Sequence, residues 1–110
     1  MEENFSPVSD AAALEELFAR SNTEPVLIFK HSTACPISAR AYSQMTGVKT
    51  PVSIVVVQKS RDLAREVEQR TGVRHETPQA LVIRNGRVVW NASHFDITAD
   101  VVEQAVKDNV

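Results

Sequence analysis

Two short apolar runs, Val26 to Phe29 and Ile54 to Val57, constrain the fold of this chain more than any other feature of its sequence. Neither run alternates apolar with polar residues, which is typical of strands buried on both faces of a sheet. We therefore predict strands over 26–30 and 52–57. The residues from 36 to 45 favour a helix between them, and two strands joined by a helical crossover are parallel.

The dipeptide Asn85-Gly86 predicts a tight hairpin, because both central residues of such a turn need positive φ. It separates two apolar segments, 80–84 and 87–90, which are therefore expected to be antiparallel neighbours. A short strand over 4–8 would bring the sheet to five strands.

Three more helices are predicted from apolar side chains at three- and four-residue spacings. The first helix covers 10–20, and the second covers 61–70 and is expected to end at Gly72. The third begins after its N-cap, Thr98. Gly47 is expected to end the crossover helix in a left-handed turn. The last helix is expected to pack through one face, which carries Val101, Val102, Ala105 and Val106.

The order helix, strand, helix, strand, helix, hairpin, helix is that of the thioredoxin-like fold. We predict an α/β protein with a mixed sheet of four or five strands and helices on both faces. At roughly 100 to 150 residues per domain, a chain of 110 residues is expected to form one domain over 1–110.

Charge and cysteine content exclude several classes of function. The 12 Lys and Arg against 14 Asp and Glu leave no basic excess for nucleic acid or an anionic membrane. No apolar run approaches the ~20 residues of a membrane helix, and the acidic start at 1–4 is unlike a signal peptide. The lone Cys35 cannot close an internal disulfide, so we expect a cytoplasmic protein whose thiol stays reduced.

Cys35 is the candidate nucleophile, because it lies where a buried strand passes into a helix and Pro36 is a favoured first helical residue. As the N-cap, its sulfur is expected to face the free N–H groups of the first turn. Those groups and the helix dipole favour thiolate over thiol. The alternative is a small, inert, buried side chain.

Ser38 lies where a Cys-x-x-Cys site would hold its second cysteine. A hydroxyl cannot resolve a mixed disulfide, but it can donate a hydrogen bond to the thiolate, which predicts a monothiol site. Ser38 can equally be an ordinary residue of the first helical turn. Thr77-Pro78 precedes the first hairpin strand, where thioredoxin-like proteins have a cis proline beside the active cysteine, so we predict a cis bond.

The three histidines follow no recognised spacing of metal ligands, so we predict no metal site. His75 and His94 are expected on the rim nearest the thiol, where the hairpin strands end. Lys30 and Arg40 would add positive charge around an anionic sulfur, although each of these side chains can equally be a solvated polar group. The candidate substrate-binding residues are Thr77, Pro78, His94, His31 and Arg40.

The segment Lys30-His31-Ser32-Thr33-Ala34-Cys35-Pro36-Ile37-Ser38 closely resembles the YtxJ-like monothiol bacilliredoxins, which are cytosolic thioredoxin-fold proteins. The resemblance covers nearly the whole chain and includes Thr77-Pro78 and the segment 93–98. Ala34 departs from the family, in which Thr usually precedes the cysteine.

The resemblance implies thiol–disulfide exchange on S-bacillithiolated proteins. Cys35 would take bacillithiol onto itself, and a second bacillithiol would release it. No bound cofactor is implied, because bacillithiol is the cosubstrate. We expect a monomer. The basic side chains around Cys35 are candidate contacts for the malate carboxylates of bacillithiol.

Two other classes of function stay open. Monothiol glutaredoxins with Cys-Gly-Phe-Ser carry iron–sulfur clusters and have the same single-thiol spacing, but Pro36 stiffens the loop here. A non-enzymatic redox sensor would only accept a protective thiol on Cys35. A peroxiredoxin is disfavoured, because Ser32 and Cys35 match part of its motif while Ile28 stands where its proline belongs.

Overall fold

The computed structural model describes residues 4–110 and contains a five-stranded sheet with strand order β1-β3-β2-β4-β5. Strands β1, β3 and β2 are mutually parallel, whereas β4 is antiparallel to both β2 and β5. The mixed sheet of the thioredoxin-like prediction is confirmed. In chain order the elements are β1 Phe5–Pro7, α1 Ala11–Arg20, β2 Val26–His31, α2 Pro36–Met45, β3 Val52–Val56, α3 Arg61–Thr71, β4 Gln79–Arg84, β5 Arg87–Ser93, a 3-10 turn His94–Asp96 and α4 Ala99–Lys107.

Helices cover both faces of the sheet, because successive residues of β2 point to opposite sides. Leu27 and Phe29 pack with α2 and α4 in one apolar cluster. Val26 and Ile28 pack with α1 and α3 in the other. The central strand β2 is buried along its whole length and is paired on both sides, so the sheet holds its carboxyl end firmly in place.

The local signals for turns and caps act mostly as predicted. Asn85 and Gly86 have φ of 56° and 74°, which gives the hairpin between β4 and β5. Gly72 ends α3 in the left-handed conformation, and Thr98 caps α4 by accepting from the Val101 N–H. The predicted short strand over 4–8 is present as β1, whose core residue is Phe5.

Two helix-level predictions are wrong. Gly47 does not adopt a positive φ; α2 ends at Thr46, which is right-handed and whose N–H bonds the Tyr42 carbonyl. At Gly47 the backbone instead lies close to α4, since a Cβ there would be 3.5 Å from Ala99 Cβ. Val101 is exposed, because it lies to the side of the face through which α4 packs.

Candidate functional site

Cys35 stands at the carboxyl end of the sheet, between β2 and α2. It is the N-cap of α2 with an extended backbone, and Pro36 is the first helical residue, as predicted. The Cys35 carbonyl accepts the Ala39 N–H at 2.9 Å, which closes the first turn. The cysteine is partly exposed and free, so it is not the buried side chain of the alternative interpretation.

The sulfur makes a different contact pattern from the predicted one. Among the residues described, no N–H of the first turn donates to the Cys35 side chain. The Ser38 hydroxyl does not bond the sulfur either, because it is already engaged with two other groups. It accepts the Ser32 N–H at 2.9 Å and lies 2.8 Å from His31 Nδ1.

His31 and Ser38 form a buried pair beneath the active-site loop, which comprises residues 32–35. Burial lowers the pKa of His31 below 6.5, and a hydrogen bond with the Ser38 backbone opposes the shift. Ser38 Oγ accepts the Ser32 N–H, and the tautomer of the His31 ring decides whether Nδ1 donates to or accepts from the same hydroxyl. His31 is 8% exposed, so little of its ring can reach a ligand directly.

Gln58, in the middle of the turn that follows β3, holds the active-site loop from the side. Its Nε2 donates to Ser32 Oγ at 2.7 Å, and its Oε1 accepts the Thr33 N–H at 3.2 Å. Ser32 Oγ also accepts the Ala34 N–H at 3.3 Å. Sequence reasoning missed Gln58, because nothing in its local sequence indicates that it bonds a loop 25 residues away.

The Thr77-Pro78 bond is cis, as predicted. Lys30 pairs with Gln79 across β2 and β4, so the next position on each strand brings Pro78 beside His31. The His94 N–H donates to the Pro78 carbonyl at 3.0 Å.

The side chains of Thr77 and His94 are partly exposed, and each has one polar partner. His94 Nε2 lies 3.5 Å from Glu76 Oε2, and Thr77 Oγ1 lies 3.3 Å from His75 Nε2. Thr77, Pro78 and His94 therefore form one group at the ends of the hairpin strands.

Lys30 does not contribute to a positive rim, because the fold buries it completely. Its side chain points to the α3 side of β2, and Nζ lies 3.1 Å from His75 Nδ1. Burial lowers the pKa of Lys30 to about 8, while Glu68 and Glu76 act in the opposite direction. The sequence could not show this, since a lysine at the end of a strand is usually solvated.

Arg40 contacts the 3-10 turn that contains His94. Its guanidinium stacks over the Phe95 ring at 5.3 Å from the centroid, where α2 meets the 3-10 turn. Phe95 is 59% exposed, so this pair forms a surface feature on the α2 side.

Within residues 4–110, no group of three or more His, Cys, Asp or Glu side chains is arranged to hold a metal ion. The helices of the same part of the chain are all too short or too polar to cross a membrane.

The fold is shared with solved thioredoxins. Fasciola hepatica thioredoxin matches over 100% of both chains, with a TM-score of 0.73 and 13% identity. Thioredoxin f from spinach chloroplast, in a short form, covers 96% of this chain and 92% of its own, with a TM-score of 0.68 and 16% identity. A protein assigned as an oxidoreductase with a thioredoxin fold matches over 92% of each chain at 34% identity and a TM-score of 0.84.

A thioredoxin fold with a partly exposed cysteine between its central strand and the following helix defines a thiol–disulfide oxidoreductase. The family is narrower than this class. A family model described as monothiol bacilliredoxin BrxC matches residues 6–102, and the chain therefore belongs to the monothiol bacilliredoxin BrxC family. The resemblance noted in the sequence is confirmed.

Proposed function

We propose that this oxidoreductase removes bacillithiol from S-bacillithiolated proteins through a mixed disulfide on Cys35. The observation that carries the proposal is the partly exposed single thiol at the start of α2, with a buried serine at the position where a dithiol site has its second cysteine. The sequence has no other cysteine. A mixed disulfide on Cys35 must therefore be resolved by a thiol from outside the chain.

The proposed exchange has two balanced steps. The Cys35 thiolate attacks the bacillithiol sulfur of the substrate; a Cys35–bacillithiol disulfide forms, and the substrate cysteine leaves as a thiolate. The thiolate of a second bacillithiol then attacks the bacillithiol sulfur on Cys35. This step releases Cys35 as a thiolate and produces the disulfide of two bacillithiol molecules. Bacillithiol is thus a cosubstrate, and the scheme needs no bound cofactor.

Two features of the site support this proposal. The active-site loop is held by Gln58 and by the buried Ser38, so the position of the sulfur is fixed without a bond to the sulfur itself. Thr77 and Pro78 lie beside the end of β2, where an extended substrate segment could dock.

We also propose a cytoplasmic setting, because the reaction needs a thiol that stays reduced.

The test uses a protein that carries one bacillithiol on a cysteine, and mass spectrometry follows both proteins. Wild type should acquire one bacillithiol on Cys35 and lose it when free bacillithiol is added. Cys35→Ala should neither acquire the adduct nor deprotect the substrate.

Ser38→Ala should retain the reaction, because its hydroxyl bonds His31 and Ser32 and not the sulfur. Ser43→Ala, at an exposed position of the same helix, is the matched control. Deprotection by Cys35→Ala at the wild-type rate, or the absence of any adduct on wild type, would overturn the proposal.

A further inference from the structure

A cavity of about 410 Å³ opens between the active-site loop and α3. A volume of this order accommodates a small molecule. Its polar lining consists of Ser32, Gln58, Arg61, Arg65, Glu68 and His75. None of the substrate residues predicted from the sequence lies in this lining, and the proposed exchange assigns the cavity no role.

Two arginines give the cavity mouth its charge. Arg61 and Arg65 are four residues apart, which places them on the same side of α3. Both are exposed, and neither forms an ion pair with a carboxylate of the described residues within 4.0 Å. A guanidinium is well suited to bind a carboxylate through two parallel hydrogen bonds.

A buried amine lies behind His75, one of the lining residues. Lys30 is 0% exposed and lies beneath His75, with 3.1 Å between Nζ and Nδ1. No carboxylate of the described residues lies within ion-pair distance of Nζ. Glu68 is the acidic group of the lining, and one of its oxygens accepts the His75 N–H at 2.7 Å.

The cavity lies within reach of the reactive sulfur. Ser32 forms part of its wall and precedes Cys35 by three residues. Since consecutive Cα atoms are 3.8 Å apart, the Cα atoms of these two residues are separated by at most ~11 Å. Gln58 lines the same cavity and forms hydrogen bonds with Ser32 and Thr33, so it fixes the loop that connects the cavity to Cys35.

We infer that this cavity binds the carboxylate groups of the small thiol that reacts at Cys35, with Arg61 and Arg65 as the binding residues. The inference rests on the proposed function only in requiring thiol exchange at Cys35. Glu68 repels a purely anionic ligand, so its carboxylate limits the affinity that the arginines provide.

The test compares two small thiols, mercaptosuccinate with two carboxylates and the neutral 2-mercaptoethanol. Cys35 is first converted to its mixed disulfide with 2-thiopyridine. The attacking thiolate forms a disulfide with the Cys35 sulfur, and the chromophoric thiopyridine leaves and takes up a proton. The quantity measured is the ratio of the two thiols' rate constants, so differences in the reactivity of Cys35 itself cancel.

Arg61→Gln with Arg65→Gln should lower this ratio about three- to tenfold, in line with the loss of two charge-assisted contacts near the surface. Glu68→Gln should raise it, because the amide still accepts the His75 N–H and no longer repels the ligand. Arg87→Gln with Lys107→Gln, at exposed positions of the hairpin and of α4, removes the same two charges and is the control for a change of net charge.

A ratio that is unchanged in the double variant of Arg61 and Arg65, or that falls equally in the control with Arg87→Gln and Lys107→Gln, would overturn the inference. The two proposals can fail separately, because the probe reaction uses no bacillithiolated protein. If the preference for mercaptosuccinate is present but debacillithiolation is absent, only the proposed function is wrong.

Discussion

Lys30 is a cation that the fold removes from water. Its folded-state pKa of about 8 lies below the ordinary 10.5, because burial penalises the charged form. Between these two values the unfolded chain binds more protons than the folded one, so stability rises with pH across this window. The charged amine therefore costs stability below pH 8, and the cost disappears as the pH approaches 10.5.

We predict that Lys30→Met gains most stability relative to wild type below pH 8. The advantage should shrink by about 3 kcal/mol as the pH rises to 10.5, at 1.36 kcal/mol per pKa unit. Urea unfolding of both proteins at several pH values measures the difference. Lys107→Met, at an exposed position of α4, should show no such trend. A difference between Lys30→Met and wild type that does not change with pH would contradict the prediction.

At the residue scale, the sequence predicts positions in the site better than contacts. Cys35 and Pro36 could be placed because a strand that meets a helix at a proline is a local pattern. The partners of Ser38 could not, since His31 and Ser32 approach it only after β2 and α2 have packed. Lys30 follows the same rule: its burial depends on the side of β2 from which α3 covers the sheet.

At the scale of the elements, Ser21 joins α1 to the hairpin. Ser21 is the buried C-cap of α1. Its Oγ accepts the Gly86 N–H at 3.0 Å, and its carbonyl accepts the Asn85 N–H at 2.7 Å and Arg84 NH1 at 2.9 Å. The tip of the hairpin is therefore fixed by a helix end that is distant in sequence.

We predict that Ser21→Ala lowers the free energy of unfolding by about 1–2 kcal/mol, because the Gly86 N–H loses its partner in a partly buried setting. The backbone bonds of Ser21 remain, so the fold should persist. Urea unfolding measures the loss, with Ser43→Ala as an exposed control that should stay near wild type. Equal stability of the two variants would show that the side-chain bond contributes nothing.

The types of the elements can be predicted because their signals are local. The predictions that are wrong concern features that depend on packing between elements. Asn85-Gly86 dictates its own turn through backbone sterics. Gly47 is also a glycine at the end of a helix, but its backbone packs closely against α4 and does not adopt a positive φ. The sequence does not predict the 3-10 turn at 94–96, because this turn depends on its contact with α2 and on the hydrogen bond from the His94 N–H to the Pro78 carbonyl.

At the scale of the whole molecule, residues 4–110 include one short edge strand and few exposed large apolar side chains. The edge strand β1 has three residues and ends at Pro7, which cannot donate to a further strand. The large exposed apolar side chains are few and lie in different elements: Val89, Phe95, Val101 and Val110.

We predict a monomer of 12.2 kDa under reducing conditions, measured by sedimentation. Under oxidation, the only covalent dimer available is one through Cys35, since no other cysteine exists. Cys35→Ala should therefore remain monomeric with or without oxidant. A reversible dimer of the reduced protein would show an interface that the exposed side chains do not suggest.

The pairing of β2 on both sides determines how the reactive sulfur behaves when the protein fluctuates. Every residue of β2 is buried, and its backbone is paired with β3 on one side and β4 on the other, so we expect its amides to exchange slowly with deuterated water. Fraying of β1 or β5, the outer strands, leaves that anchor intact. The thiol is thus attached next to the central strand of the sheet, which we expect to open later than the outer strands.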